Sequence, residues 1–147
     1  MKTIYKTIVS ATITSHNGKI LLVLDESGIY RGCWHNLGGN VEDSKKYEQI
    51  LLEKILSSTG LDLSPYPLEQ LDYIGGASQN TDSSNEIATY VIKFIYFKVH
   101  INDHDSSELL IKPINKSRRV EWFDLSDLSK LKLTPPGIIL YKKLGYL

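Results

Sequence analysis

Lys54, Ser57 and Ser58 stand at i, i+3 and i+4 in a segment whose apolar residues Tyr47, Ile50, Leu51 and Ile55 recur at helical spacing. The three polar side chains therefore share one helix face. A cation flanked by two hydroxyls suits a phosphate better than a metal ion. Magnesium takes hard anionic oxygens, and a serine hydroxyl joins its shell only where carboxylates or phosphates supply the charge. Lys54 opposes a cation outright. Upstream, residues 27–40 hold Gly28, Gly32, Gly38 and Gly39 around Tyr30, Trp34 and His35, so a loop is expected there. Loops of this kind often carry function. Aromatic faces stack on nucleobases, which makes Tyr30, Trp34, Tyr73 and Tyr90 candidates for a base contact, although core packing is the commoner use of such residues.

Other groups are weaker. His100 and His104 have an HxxxH spacing, but they flank a turn, where the two rings do not share a helix face as a zinc site would need. Asp103 and Asp105 lack the glycine and late glutamate of a calcium loop. His35 has no partner visible in the sequence to make it a general base. Lys112, Lys116, Arg118 and Arg119 make the C-terminal quarter locally basic and read as a solvated loop face.

The elements that must position these residues are legible from periodicity. Residues 7–14 alternate Val9, Ala11 and Ile13 against Ser10, Thr12 and Thr14, as a half-buried strand does. Asn17-Gly18 supplies a tight hairpin turn into a second strand at 19–24. A helix runs from about Ser44 to a cap at Gly60. A short strand at 71–74 and a polar connection at 75–85 precede a long strand at 86–99 that is apolar on both faces and must be covered on both. A further strand at 119–123 and a helix opened by Pro136 and closed near Gly145 complete the chain. Strands in the majority with one central and one terminal helix imply an α/β protein, an α/β/α sandwich around a mixed sheet.

The 147 residues fit a single domain spanning 1–147, with no repeat or linker in them. Lys plus Arg and Asp plus Glu both total 17, so no overall field favours nucleic acid or an acidic membrane, and a nucleic-acid partner is not expected. No stretch approaches the roughly 18 apolar residues of a membrane span. Cys33 is the one cysteine, which excludes an intrachain disulfide and points to the reducing cytoplasm.

Gly38-Gly39-Asn40-Val41-Glu42, a helix, and Ser57-Ser58-Thr59-Gly60-Leu61 together resemble the box of the Nudix hydrolase family, G-x5-E-x7-R-E-U-x-E-E-x-G-U with U a bulky aliphatic. Aligned on Gly39, the chain matches at Gly39, Ile55, Gly60 and Leu61 with the spacing intact. Trp34, Glu42, Glu121-Trp122-Phe123-Asp124-Leu125 and Leu133-Thr134-Pro135-Pro136 also look like the family's pattern, so the resemblance covers nearly the whole chain. It implies a Nudix-like α/β/α sandwich and, in the family's usual form, magnesium- or manganese-dependent cleavage of a nucleoside diphosphate linked to another group. The polar positions depart from it. Where the family has Glu, Arg, Glu, Glu and Glu, this chain has Lys45, Glu53, Lys54, Ser57 and Ser58, and Leu37 replaces a frequent proline. Glu53-Lys54 is a charge pair with the family's Arg-Glu ends swapped, or simply solvated helix surface.

The first expectation is therefore a Nudix-fold protein with a degenerate box, catalytically impaired, that binds a nucleotide or nucleoside-diphosphate-linked ligand through Gly38, Gly39, Trp34, Tyr30 and Lys54, without a metal cofactor. Lys45 is a second cation within the box that suits a phosphate. Two alternatives stay open. One is an active hydrolase using magnesium or manganese on relocated acids drawn from Glu42, Glu53, Glu86 or Glu121, with Glu42 and Glu53 the leading metal candidates. The other is a protein-interaction or regulatory module on the same scaffold. The resemblance, rather than any residue pattern, implies a homodimer.

Overall fold

A computed structural model describes residues 2–28, 30–41, 46–71, 74–81, 85–112 and 119–147, with the backbone course alone for 74 and 76–81. Glu42 and Lys45, the strand start at 72–73 with Tyr73, and Lys116 and Arg118 lie outside the described residues.

The chain's longest elements are β1 (Lys2–Ser15) and β7 (Ile87–Ile101), which run parallel along their whole length from Lys2 beside Ala88 to Ser15 beside Ile101. Other strands add antiparallel. β2 (Lys19–Leu24) folds back on β1 through the Asn17-Gly18 turn, where Gly18 has φ of 76°. β3 (Trp34–His35) and β8 (Val120–Asp124) flank β2, and β4 (Leu37–Val41) pairs with β1 over residues 7–11. β5 (Glu69–Gln70) and β6 (Ile74–Thr81) pair with β7. The result is one mixed eight-stranded sheet.

Helix α1 (Tyr47–Thr59) covers one face and α2 (Pro135–Lys143) the other. α1 buries Leu51 and Ile55 against Val9, Ala11, Ile13, Ile95 and Phe97. Each such side chain contributes about 1.5–3 kcal/mol by leaving water. Gly60 closes α1 in the left-handed region, its N–H donating to the Leu56 carbonyl. α2 is capped by Thr134, whose side chain accepts from the Gly137 N–H at 3.2 Å, and Pro135 and Pro136 fill its first turn, where no donor is needed. Leu140 and Tyr141 of α2 pack with Ile20, Leu22, Trp34, Tyr90 and Leu128 in the second core. No helix among the described residues is long and apolar enough to cross a membrane.

Three local expectations change. β1 is not half-buried: Ser10, Thr12 and Thr14 are buried as well, because α2 covers the face they occupy. The two threonine hydroxyls have protein partners, Thr12 accepting from the Asn36 amide at 2.9 Å and Thr14 meeting His100 Nδ1 at 2.8 Å. The glycine-rich stretch 27–40 is only partly loop, since β3 begins within it and β4 starts at Leu37. Gly38 is there for close backbone approach: a Cβ on it would stand 1.9 Å from the Val9 carbonyl oxygen. The polar connection at 75–85 is mostly strand β6, held by backbone pairing to β7, which side-chain polarity does not reveal.

Candidate functional site

Register sets the floor of a cavity of about 290 Å³ between the sheet and α2. Gly38 sits opposite Ser10 and Asn40 opposite Ile8 on one side of β1, while Tyr96 and Phe94 flank the same two residues on the other. Those six residues form two adjacent rungs of the cavity floor. Thr134, the cap of α2, with Gly137 and Tyr141 of the helix itself, forms its roof, and Asp25, Tyr30, His35 and Asn36 one wall. Phe94 and Tyr96 stack with ring centres 6.0 Å apart and planes within 5°.

The wall is chemically ordered. Asn36 is buried, donates to Thr12 Oγ1 and accepts from the Tyr141 hydroxyl, so its amide is committed to the fold. His35 Nδ1 donates to the Asn36 carbonyl at 2.7 Å. Its Nε2 lies 2.8 Å from Asp25 Oδ1, off the axis of a well-directed hydrogen bond but at ion-pair distance. The partner that the sequence does not reveal for His35 is thus Asp25, at the end of β2. Burial pushes the phenols of Tyr30, Tyr96 and Tyr141 above the ordinary tyrosine range, with nearby Cys33, Tyr30 and Tyr96 respectively adding to it. These hydroxyls stay neutral and keep their protons for donation, that of Tyr141 being already given to Asn36.

Gly39 is the meeting point of cavity and helix. It lines the cavity, and a Cβ built on it would meet Lys54 Cδ at 3.1 Å and Nζ at 3.4 Å. The Lys54 stem therefore lies against the bare backbone of β4, on the side turned toward α1. Among the described residues no acid pairs with it. Ser57 and Ser58 turn back on the helix, donating to the carbonyls of Lys54 at 3.1 Å and Ile55 at 3.3 Å. A cation and two hydroxyls engaged with backbone do not fit a divalent metal at this face.

The remaining candidates scatter. Glu53 faces a separate open groove with Lys46, Gln49 and Leu52, and accepts from Gln49 Nε2 at 3.2 Å, so it does not pair with Lys54. Glu121 is held by Arg119 at 3.2 Å. Gly38 and Tyr30 line the cavity, whereas Trp34 is in the core, edge-on to Phe123 at 4.8 Å and beneath Arg119. Tyr90 is buried under Lys6. His100 and His104 have different partners, Thr14 and Asp103. Among the described residues no three His, Cys, Asp or Glu side chains gather into a metal-holding group. Asp25, Asn36, Asn40, Phe94, Tyr96, Thr134, Gly137 and Tyr141 were not singled out for the site by sequence. For Phe94 and Tyr96 the signal was present, since both fall on one face of the long strand with period two. For the others it was not, because their neighbours are distant in sequence.

No protein-family model matches the sequence, and no curated protein matches it. Solved structures do resemble it. The Nudix domain of Shewanella oneidensis NrtR, solved as a complex with ADP-ribose, superposes with a TM-score of 0.71 at 18% identity, covering 99% of this chain and 88% of that one. A MutT protein from Methanosarcina mazei Go1 gives 0.68 at 14% identity, with 99% and 96% covered. A MutT Nudix hydrolase from Burkholderia pseudomallei gives 0.64 at 21% identity, with 95% and 98% covered. The fold of this chain is the Nudix fold.

Proposed function

From a Nudix fold whose signature helix presents Lys54, Ser57 and Ser58, we propose that this chain binds a nucleotide or nucleoside-diphosphate-linked ligand without a metal ion and hydrolyses it poorly or not at all. The observation that carries the reading is Lys54, which lies against cavity-lining Gly39 from the α1 side of β4 and has no ion-pair partner among the described residues. A positive charge there neutralises a phosphate that a magnesium ion would otherwise meet, and β4 offers glycine backbone that lets a ligand approach closely. Near 290 Å³, the cavity is at the small end for ligand sites and suits one nucleoside rather than a dinucleotide, which leaves the phosphates toward the Gly39 edge. Phe94, Tyr96 and Tyr30 supply aromatic wall for the base. The ADP-ribose bound by the Shewanella oneidensis domain makes that compound the first to try. Cys33, buried and unpaired, suits a cytoplasmic setting.

Calorimetry with ADP-ribose, NAD and nucleoside di- and triphosphates in EDTA tests the proposal. Binding is expected without metal and about tenfold or more weaker in Lys54→Gln, the loss typical of one charge-assisted hydrogen bond. Silence toward every compound, or binding only with added magnesium, counts against it. Phosphate or monophosphate release with magnesium or manganese from the same compounds would overturn the impaired-catalysis half alone.

A further inference from the structure

We infer that Ser10 and Tyr96, neighbours on the cavity floor, read the edge of the ligand's nucleobase through their side-chain hydroxyls. This rests on the reading above that a nucleotide occupies the cavity. The two residues are partners in the parallel register of β1 and β7, so they stand side by side on one face of the sheet, and both line the cavity. Only 6% of Ser10 and 4% of Tyr96 is exposed.

A buried hydroxyl ordinarily has a hydrogen-bond partner. Those nearby do: Thr12 accepts from Asn36, Thr14 meets His100, and Tyr141 donates to Asn36. Among the described residues the hydroxyls of Ser10 and Tyr96 have none. Nor are they sealed in, since the described side-chain atoms that are both sealed and unpartnered are His35 Nε2 and Trp122 Nε1. Two adjacent hydroxyls therefore open into the cavity with their hydrogen-bonding capacity unspent. A ligand group that matches them gains what the fold leaves unused.

The chemistry of the pair fits a neutral, polar edge. Burial, with Tyr30 close by, holds the Tyr96 phenol protonated well above the usual tyrosine range, so it donates to an acceptor such as a ring nitrogen or a carbonyl oxygen. Ser10 beside it donates or accepts. A nucleobase edge carries acceptors and donors side by side, and its face packs on aromatic rings. Phe94 supplies such a ring, stacked with Tyr96 at 6.0 Å and two residues along the same strand. A phosphate over Ser10 and Tyr96 would have no counter-charge, because no lysine or arginine lines the cavity among the described residues. Its place is the Gly39 edge, and β1 stands between that strand and β7. Two strand spacings put β7 roughly 10 Å from β4, a span that one nucleoside bridges.

The test titrates the full chain and its Tyr96→Phe and Ser10→Ala variants, in EDTA, with ADP, GDP, CDP, UDP and inorganic pyrophosphate, and records melting curves without ligand. Each substitution removes a hydroxyl that has no partner in the protein, so melting temperatures are expected to stay level or rise. The nucleotide that wild type binds best should bind each variant about 3–10-fold more weakly, the worth of one neutral hydrogen bond, while any pyrophosphate binding stays as it was. A stability gain or no change together with a binding loss is what an unspent recognition group predicts and a structural one does not. Unchanged nucleotide affinity in either variant, or a loss shared equally by pyrophosphate, overturns the inference while leaving nucleotide binding intact. A melting temperature lowered by more than about 4 °C in either variant assigns that hydroxyl to the fold and overturns it as well. Silence of wild type toward all four nucleotides overturns the nucleotide reading and this inference with it.

Discussion

Replacing Gly38 and Gly39 by alanine, one at a time, separates what β4 does for the fold from what it does for the ligand. Neither glycine has a positive φ, so alanine brings no backbone strain and only its Cβ matters. At Gly38 that atom would stand 1.9 Å from the Val9 carbonyl oxygen, 2.6 Å from Ser10 Cα and 2.8 Å from the Val9 carbonyl carbon. These are backbone atoms of β1, and β4 must retreat by about 1.5 Å to reach ordinary contact, which breaks its pairing near Val9 and Ser10. Overpacking plus one or two lost ladder bonds cost about 3–5 kcal/mol. That is a drop of roughly 6–20 °C in melting temperature for a chain of this size. At Gly39 the new atom meets only the far end of Lys54, at 3.1–3.4 Å, and a flexible side chain swings aside at little cost. Gly39→Ala should stay within about 1 kcal/mol of wild type yet weaken metal-free nucleotide binding, because it displaces the Lys54 ammonium. Urea unfolding and calorimetry on both variants decide the matter. A Gly38→Ala protein as stable as wild type, or a Gly39→Ala protein as destabilised as Gly38→Ala, would refute the close-approach argument.

Three further outcomes are expected. Asn36→Ala leaves the buried hydroxyls of Thr12 and Tyr141 without their partner and should cost about 2–4 kcal/mol in denaturant unfolding, with a loss under 1 kcal/mol speaking against the network. The triple change Lys54→Glu, Ser57→Glu, Ser58→Glu puts three carboxylates on one helix face and should create a magnesium- or manganese-dependent rise in melting temperature that wild type lacks; no rise would mean the face is mispositioned for metal. Burial of Tyr30, Tyr96 and Tyr141 raises their folded pKa above the ordinary value of 10.0, so the folded state holds those protons longer. Their stabilisation is complete below about pH 10 and fades as pH climbs through the raised values. Absorbance at alkaline pH should show these phenols ionising together with unfolding, and early ionisation of all nine tyrosines in the folded protein would contradict it.

The strand pair and both helices were legible because their signals are local. The Asn17-Gly18 turn, the two-faced run of β7 and the proline start of α2, read at Pro136 and found at Pro135, each fix backbone geometry within a few residues. β6 escaped notice because an edge strand is held by main-chain pairing to β7, for which its sequence need show no apolar face. The burial of Ser10, Thr12 and Thr14 escaped for a related reason: alternation reports which residues share a face, and not whether a helix will later cover the polar one.

The cavity divides in the same way. The substitution of Lys54, Ser57 and Ser58 at the family's acidic positions was visible in the sequence, since spacing along a helix is fixed by 3.6 residues per turn. Sequence alone thus determined the fold's frame and the charge on its signature face. Only the tertiary structure decided that Lys54 lies behind Gly39, that Glu53 points into a different groove, and that Asp25 meets His35 beside Phe94 and Tyr96. Those contacts join residues 10 to more than 60 positions apart. They depend on strand register and helix placement, which local propensity does not encode.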